Sequence, residues 1–149
     1  MLGQDTDIGL TMLPECYCPR APASPCPCCS GATFSSCCQP LLEGREIAYT
    51  AEQLMRSRYC AHATGQIQYI VDTWVLEQRL QLDIEAIKTW ALNSEWLGLQ
   101  ILTSSNGLAD DDTGKVEFAA SFKSEGRAQL HRETSQFVCR DGRWYFVNS

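Results

Sequence analysis

The sequence predicts an α+β protein in which three helices pack on a curved antiparallel sheet, preceded by a small cysteine-rich module. The spacing of apolar residues is helical over the middle of the chain and changes to alternation in its last third, which indicates helices followed by strands. Seven of the nine cysteines lie between Cys16 and Cys38, in a stretch poor in periodic apolar residues. With 149 residues, 44% of them hydrophobic, the chain is long enough for one ordinary core and one appended module.

Residues 26–38 read CPCCSGATFSSCC, and this spacing predicts a metal site. Cys26 and Cys28 form one pair of thiols, and Cys37 and Cys38 form a second pair after an eight-residue loop. Four thiolates can close a tetrahedral shell around zinc, and metal binding would supply the folding energy of so short a segment. Because a closed shell leaves no position for water or substrate, the site is predicted to be structural or a docking surface.

Two other interpretations of the cysteines fit less well. A disulfide scaffold favours an even number of cysteines and an oxidising compartment. A redox centre would place its Cys-x-x-Cys after a strand, and no strand is predicted before residues 26–29. Cys16 and Cys18 form a further C-x-C pair, which could replace a ligand of the main cluster, belong to a second site with Cys29 or lie in a solvent-exposed tail.

Charge and hydropathy exclude two classes of partner. The formal net charge is −6 and no basic run is present, which disfavours nucleic acid as the main ligand, since phosphate binding needs clustered Lys and Arg. No stretch reaches the roughly 18 apolar residues of a membrane span, and the N-terminal residues do not have the pattern of a signal peptide. We therefore expect a cytoplasmic protein without a membrane partner, in which thiols stay reduced.

The helices are predicted from caps and periodicity. Thr50 to Gln53 fits a capping box, so a first helix should run from there to about His62, with Gly65 ending it. Two further helices follow from apolar residues at i, i+3, i+4 and i+7 or similar spacing. The apolar positions are Ala51, Leu54, Met55 and Tyr59 in the first helix, Ile67, Ile70, Val71 and Trp74 in the second, and Leu80, Ile84, Ile87 and Ala91 in the third.

Four strands complete the predicted domain. Alternating apolar residues mark one strand around residues 97–101 and another over 116–122. A long third strand spans residues 127–139, and Asp141-Gly142 provides a hairpin turn to a short last strand at 144–147. Consecutive strands joined in this way predict an antiparallel meander with the helices on one face.

The cysteine stretch resembles the SEC-C motif, C-x-C-x8-C-C or C-x-C-x8-C-H, which binds zinc in the tail of the SecA translocation ATPase and contacts the chaperone SecB there. The resemblance implies that zinc is held by Cys26, Cys28, Cys37 and Cys38, and it matches Ser30-Gly31 to the Ser-Gly of the motif. It also implies a protein partner, by analogy a chaperone or the secretion or translation machinery. Cys29 departs from the pattern, which usually has Gly there, so a fifth thiol could compete for the metal or be a spectator.

The helix–sheet order resembles the NTF2-like (cystatin-like) fold, a cone whose curved sheet and helices enclose a pocket. The segments AEQLMRSRYCAH, YIVDTW, EWLGLQI, ETSQF and GRWYFV are similar to the YchJ family, UPF0225, which joins an N-terminal SEC-C motif to an NTF2-like domain. The resemblance implies three parts: a flexible tail at 1–23, a SEC-C zinc module at 24–44 and an NTF2-like domain at 48–149. A homodimer through the open sheet face is a further expectation, because NTF2-like domains often pair there.

Candidate catalytic residues lie on the third predicted strand and the first helix. His131, Glu133 and Ser135 share one strand face and could serve acid–base chemistry in a pocket; alternatively that face meets solvent. Arg56 and Arg58 could reach a ligand carboxylate or pair with Glu133. The remaining cysteines, Cys60 and Cys139, are predicted to be core thiols rather than nucleophiles.

The sequence favours a non-enzymatic adaptor, in which the zinc-stabilised module binds a protein partner. The alternative is a small-molecule-binding protein or acid–base enzyme that uses the NTF2-like pocket, with Glu133, His131 and Arg56 as the residues to test. The cavity distinguishes the two hypotheses. A closed apolar cone would favour the adaptor, whereas a deep pocket with Glu133 at its base would favour ligand binding.

Overall fold

A computed structural model describes residues 24–147 and confirms the α+β class. The helices come first along the chain and the strands follow, as predicted. The helical elements are a 3₁₀ helix at Phe34–Ser36, α1 at Gln39–Leu42, α2 at Ala51–Thr64, α3 at Ile67–Asp72, α4 at Leu76–Arg79 and α5 at Ile84–Asn93. The strands are β1 at Ser94–Asn106, β2 at Thr113–Ser124, β3 at Arg127–Arg140 and β4 at Arg143–Val147.

Helix α2 begins and ends where its capping residues predict. The Thr50 hydroxyl accepts the backbone N–H of Gln53 at 3.1 Å, while the Gln53 side chain accepts the N–H of Tyr49 rather than that of Thr50. Gly65 ends the helix in the left-handed region, with φ of 74°, a conformation that costs glycine little. These local signals need no tertiary contact, so the sequence alone places the helix correctly.

The second and third predicted helices are shorter than their apolar spacing suggests. Helix α3 stops at Asp72 because the next residues join the sheet edge: the N–H of Phe146 donates to the Thr73 carbonyl, and the N–H of Val75 donates to the Phe146 carbonyl, both at 2.8 Å. Leu80, which is counted among the apolar positions of the third predicted helix, lies between α4 and α5 and is 99% exposed. The prediction for Leu80 is therefore wrong.

The four strands form an antiparallel meander in the order β1-β2-β3-β4. Asp141 and Gly142 both have positive φ, as a two-residue hairpin turn requires. The pairing of β1 with β2 shifts register after Trp96 and again after Ile101. Such bulges bend a sheet, and the concave face that results receives α2 and α5.

One hydrophobic core spans both the cysteine module and the domain. Cys26, Cys28 and Phe34 belong to the same buried cluster as Phe137 and Trp144 of the sheet. The module is therefore packed onto the domain rather than held apart from it. Within residues 24–147, no helix is long and apolar enough to cross a membrane.

Candidate functional site

The four predicted metal ligands are brought together by a tight reversal of the chain. The N–H of Cys26 donates to the Ala32 carbonyl at 2.9 Å, and the N–H of Phe34 donates to the Ser24 carbonyl at 2.8 Å. These bonds fold residues 33–38 back over Cys26 and Cys28. The buried ring of Phe34 anchors the reversal in the core.

The sulfur atoms have the spacing of a tetrahedral metal site. The Sγ atoms of Cys26, Cys28, Cys37 and Cys38 all lie within 4.8 Å of one another. The Sγ atoms of Cys28 and Cys37 are 3.6 Å apart, and those of Cys37 and Cys38 are 3.8 Å apart. A tetrahedron of sulfurs with metal–sulfur bonds of about 2.3 Å has edges of about 3.8 Å. The donor set and its size therefore fit a metal ion of the zinc class.

The surroundings of the cluster favour a negatively charged sulfur site. Hydrogen bonds from the Cys26, Cys37 and Cys38 thiols hold the pKa of the Cys28 thiol well below its usual range, while hydrogen bonds with Cys26 and Cys28 raise the pKa values of Cys37 and Cys38. The Arg56 guanidinium donates to the Cys28 carbonyl at 2.8 Å and thus brings a positive charge to the edge of the cluster. Such outer contacts orient ligands and offset the charge of several thiolates.

The other cysteines take different places. Cys29 is bonded in a disulfide and accepts the N–H of Leu99 through its sulfur at 3.4 Å, so it does not offer a competing thiol. Cys16 and Cys18, considered above for a second site, lie outside the described residues. Cys60, predicted as an ordinary core thiol, is buried on α2 with its Sγ atom 3.5 Å from that of Cys26.

A second candidate site is a pocket between α2, α5 and the concave sheet face. One side of α2 presents Met55, Arg58, Tyr59 and His62 to it, which are residues at i, i+3, i+4 and i+7 of a helix. The cavity has a volume of about 360 Å³, within the usual range for small-molecule sites. Its wall is mainly aromatic and includes Trp74, Trp90, Trp96, Phe118 and Phe146.

Strand β3 supplies the polar wall of the pocket. His131, Glu133 and Ser135 all line it, whereas Leu130 and Arg132 point to the exposed outer face. The Glu133 carboxylate accepts hydrogen bonds from His131 Nε2 at 2.9 Å and from Ser135 Oγ at 3.0 Å. The sequence does not decide whether the face of β3 that carries His131, Glu133 and Ser135 meets solvent or the pocket. In the structure it faces the pocket.

Arg58 is the buried cation of this pocket. It is only 6% exposed, and one terminal nitrogen donates to the Ile70 carbonyl at 2.8 Å and to the Thr73 hydroxyl at 2.6 Å. Its guanidinium carbon lies 4.5 Å from the ring centre of Phe146 and 5.1 Å from that of Trp74. Burial lowers the pKa of Arg58 to about 9, so the side chain stays charged at neutral pH.

Arg56, the arginine named with Glu133 and His131 as a candidate, does not line the pocket. Its side chain pairs with Glu52 at 3.0 Å and contacts the cysteine module instead. The helical stripe that starts at Met55 could have distinguished the two arginines, because Arg58 falls on it and Arg56 does not. That signal was obscured because arginines at the edge of a buried helix face usually reach solvent.

His62 and Trp90 complete the pocket rim. Their ring centres are 5.4 Å apart in an edge-on arrangement, and Trp96 packs against both. Burial lowers the pKa of His62 to about 4, so the imidazole is neutral near pH 7. A neutral His62 adds no second positive charge beside Arg58.

A wider groove of about 610 Å³ lies between α1, α3 and β4. Its acidic residues Glu43, Glu46 and Asp72 are exposed, so their charges are solvated. Solvated charges give little reason to bind a ligand. The aromatic pocket is the stronger candidate.

The chain has relatives that match it over most of its length. The chain is 45% identical over 124 residues to a UPF0225 protein of Actinobacillus succinogenes, covering 83% of this chain and 80% of that protein. Residues 50–149 match the family described as YchJ, middle NTF2-like domain. The chain belongs to the UPF0225 (YchJ) family. A UPF0225 protein of Geobacter sulfurreducens is 42% identical over 123 residues, covering 83% of this chain and 76% of that protein.

Two solved structures are similar to this UPF0225 protein. A SEC-C motif containing protein from Rhodopseudomonas palustris is 42% identical, with a TM-score of 0.76 over 83% of this chain and 94% of that one. A sec-c motif containing protein from Psychrobacter arcticus is 34% identical, with a TM-score of 0.71 over 92% of this chain and 84% of that one. The comparisons support the predicted combination of a SEC-C module with an NTF2-like domain.

Proposed function

We propose that this UPF0225 protein binds a small organic anion in the aromatic pocket, with the ligand carboxylate at Arg58. The observation that carries the proposal is the buried, charged guanidinium in the pocket wall. Among residues 24–147, no carboxylate forms an ion pair with Arg58. Glu133 acts on Arg58 electrostatically without an ion-pair contact. A buried charge without a contact counter-ion is costly, and an anionic ligand would reduce that cost on binding.

The hydrogen-bond pattern of Arg58 leaves room for such a ligand. Its bonds to Ile70 and Thr73 use one terminal nitrogen, while the planar group can present further N–H donors. Two parallel N–H donors match a carboxylate well. The contacts of the guanidinium with Trp74 and Phe146 fix its plane before any ligand arrives.

The remainder of the pocket indicates the body of the ligand. About 360 Å³ accommodates a molecule of one or two rings, and aromatic walls favour a flat apolar body. The Glu133 carboxylate would repel a second anionic group. It would instead accept a hydrogen bond from a hydroxyl or N–H of the ligand, so the preferred ligand is a hydroxyaryl or indolyl carboxylate.

Zinc is the metal we assign to the four-cysteine cluster, where it would have a structural role. Four thiolates at this spacing fill the coordination shell, so zinc would supply folding energy rather than chemistry. The Arg56 contact with Cys28 would then tie the metal module to α2, the helix that carries Arg58. Zinc would support the pocket by holding this helix in place.

A docking role for the module is the second candidate function. The turn around the cluster exposes an uncharged, hydroxyl-rich surface on a buried base, which is the observation that favours docking. A protein partner, by analogy a chaperone or the secretion or translation machinery, would bind there. The exposed residues are Ser30, Gly31, Thr33, Ser35 and Ser36.

Isothermal titration with matched acids and amides tests the ligand proposal. The probes are 4-hydroxyphenylacetate and indole-3-acetate, each beside its neutral amide, with the wild type, Arg58→Met, Arg58→Lys and the control Arg132→Met on the exposed outer face. We expect each acid to bind at least about tenfold more tightly than its amide, a difference of about 1.4 kcal/mol. Arg58→Met should abolish that preference, Arg58→Lys should retain part of it, and the control should leave it unchanged.

Three results would contradict the proposal. Equal affinity for acid and amide would show that the pocket does not distinguish a charged ligand from a neutral one. An unchanged preference for the acid in Arg58→Met would show that the carboxylate does not bind at Arg58. Failure of both acids to bind at millimolar concentration would remove the pocket as the functional site and leave the docking turn. Circular dichroism of each variant separates loss of binding from loss of folding.

A further inference from the structure

Cys60 lies against the four-cysteine cluster although it belongs to the NTF2-like domain. Its Sγ atom is 3.5 Å from that of Cys26, and its side chain is 0% exposed. Helix α2 positions it through a stripe of Glu52, Arg56 and Cys60, which are spaced four residues apart and so share one face. Arg56 on this stripe also contacts the module, through the Cys28 carbonyl. Arg56 and Cys60 on this face therefore both contact the module.

The three buried thiols of the cluster are common neighbours of Cys37 and Cys60. The Sγ atom of Cys37 lies within 4.8 Å of those of Cys26, Cys28 and Cys38, and the same three thiols act on the pKa of Cys60, with Cys26 in contact at 3.5 Å. Cys37 is the partly exposed member of the cluster and contacts the exposed Ser30 hydroxyl at 3.1 Å. Cys37 on the solvent side and Cys60 on the core side are thus both neighbours of the buried cluster thiols.

We propose that Cys60 is an alternative fourth metal ligand, which can replace Cys37 in a four-thiolate shell. The separation of 3.5 Å between Cys60 and Cys26 is close to the sulfur–sulfur edge of about 3.8 Å in such a shell. Exchange would keep Cys26, Cys28 and Cys38 as ligands.

The ligand exchange needs no added reactant, because its protons and charges balance within the cluster. Cys60 would take the place of Cys37 as the fourth thiolate ligand, and the proton of the Cys60 thiol would pass to the Cys37 sulfur that is released. Ligand number and net charge stay constant. The metal would thereby be kept when Cys37 is chemically blocked, and its new ligand would lie on α2 only two positions from Arg58.

Cobalt substitution measures the number of thiolate ligands directly. The variants are Cys37→Ser, Cys60→Ala and the double variant, with Cys38→Ser as a control that removes one of the shared three. We expect wild type, Cys37→Ser and Cys60→Ala each to bind one cobalt ion with the spectrum of a four-thiolate site. The double variant should keep about three quarters of the sulfur-to-cobalt intensity, because one of four thiolates is missing.

The affinity of zinc provides a second readout. Competition with a chelator should show at least about tenfold weaker zinc binding by the double variant than by Cys37→Ser, equivalent to about 1.4 kcal/mol. If Cys37→Ser already has the three-thiolate spectrum, and adding Cys60→Ala changes neither spectrum nor affinity, Cys60 is a core thiol and the proposal is wrong.

Alkylation tests the exchange in protein that has folded with all four ligands. Zinc-loaded protein carrying Cys139→Ser, which removes another partly exposed thiol, is treated with iodoacetamide, and modification of Cys37 is verified by mass spectrometry. We expect the modified protein to retain zinc, whereas the same protein with Cys60→Ala should release it. Release from both would overturn the proposal.

Discussion

His62 is expected to make the folded protein less stable as the pH falls from 7 to 5. Burial lowers the pKa of this imidazole from 6.5 to about 4 in the folded state, while the unfolded chain has the ordinary value. Between these two values the unfolded state binds more protons, so protonation favours unfolding. The stabilisation is fully present above the unfolded pKa and is lost as the pH falls towards the folded pKa.

The size of the effect follows from the two pKa values. Linkage with values of 6.5 and about 4 gives a loss of about 2 kcal/mol in the free energy of unfolding between pH 7 and pH 5. This is the upper end of the expected range, because the ring keeps some contact with solvent and is partly screened. The chain has one other histidine, His131, whose contribution must be separated experimentally.

Urea unfolding of wild type and His62→Gln at pH 7 and pH 5 performs that separation. Both proteins contain His131 and the same cysteines, so these contributions cancel in the difference between the two pH dependences. We expect the wild type to lose about 2 kcal/mol more than His62→Gln over this range. Equal losses in the two proteins would refute the assignment of a buried neutral imidazole at the pocket rim.

Three further changes test the core. Phe137→Ala should lower the free energy of unfolding by about 3–5 kcal/mol, because the ring is only 1% exposed, whereas Gln136→Ala on the exposed strand face should have little effect in the same urea titration. Gly114→Ala should lower the free energy of unfolding by about 1–3 kcal/mol, since the new Cβ would lie 2.5 Å from the backbone of a neighbouring loop. An unchanged urea midpoint would contradict that close approach. The double variant Cys26→Ser/Cys38→Ser should lose zinc, as metal analysis would show. Because metal binding contributes to folding, its free energy of unfolding should fall by at least about 3 kcal/mol, measured by thermal unfolding. An unchanged melting temperature would mean that the module and the domain fold separately.

Local chemistry explains why much of the fold and the metal cluster were predictable. The Thr50 cap and Gly65 define α2 through contacts within a few residues, and Asp141-Gly142 forces a hairpin through positive φ. The cysteine spacing predicts a cluster because four soft donors near one turn have few other uses. Each of these signals acts over a short stretch of chain.

The rest depends on contacts between distant segments. The pairing of Phe146 with Trp74 ends α3 early, and an apolar pattern along one helix cannot show such a sheet edge. Alternation along β3 left two possible inner faces, and only packing against α2 selects the face of Glu133. Cys60 approaches Cys26 across 34 positions, a proximity that the spacing of either segment does not indicate.

The most direct test of the ligand proposal is NMR of the Arg58 side chain during titration. The Nε–H resonance of Arg58 and the indole N–H of Trp90 would be followed as 4-hydroxyphenylacetate is added, and again with its amide. We expect both resonances to shift together and to saturate with the acid, with the amide producing a weaker or no response at Arg58. An Arg58 resonance that stays fixed, or that responds equally to acid and amide, would contradict recognition of an organic anion in this pocket.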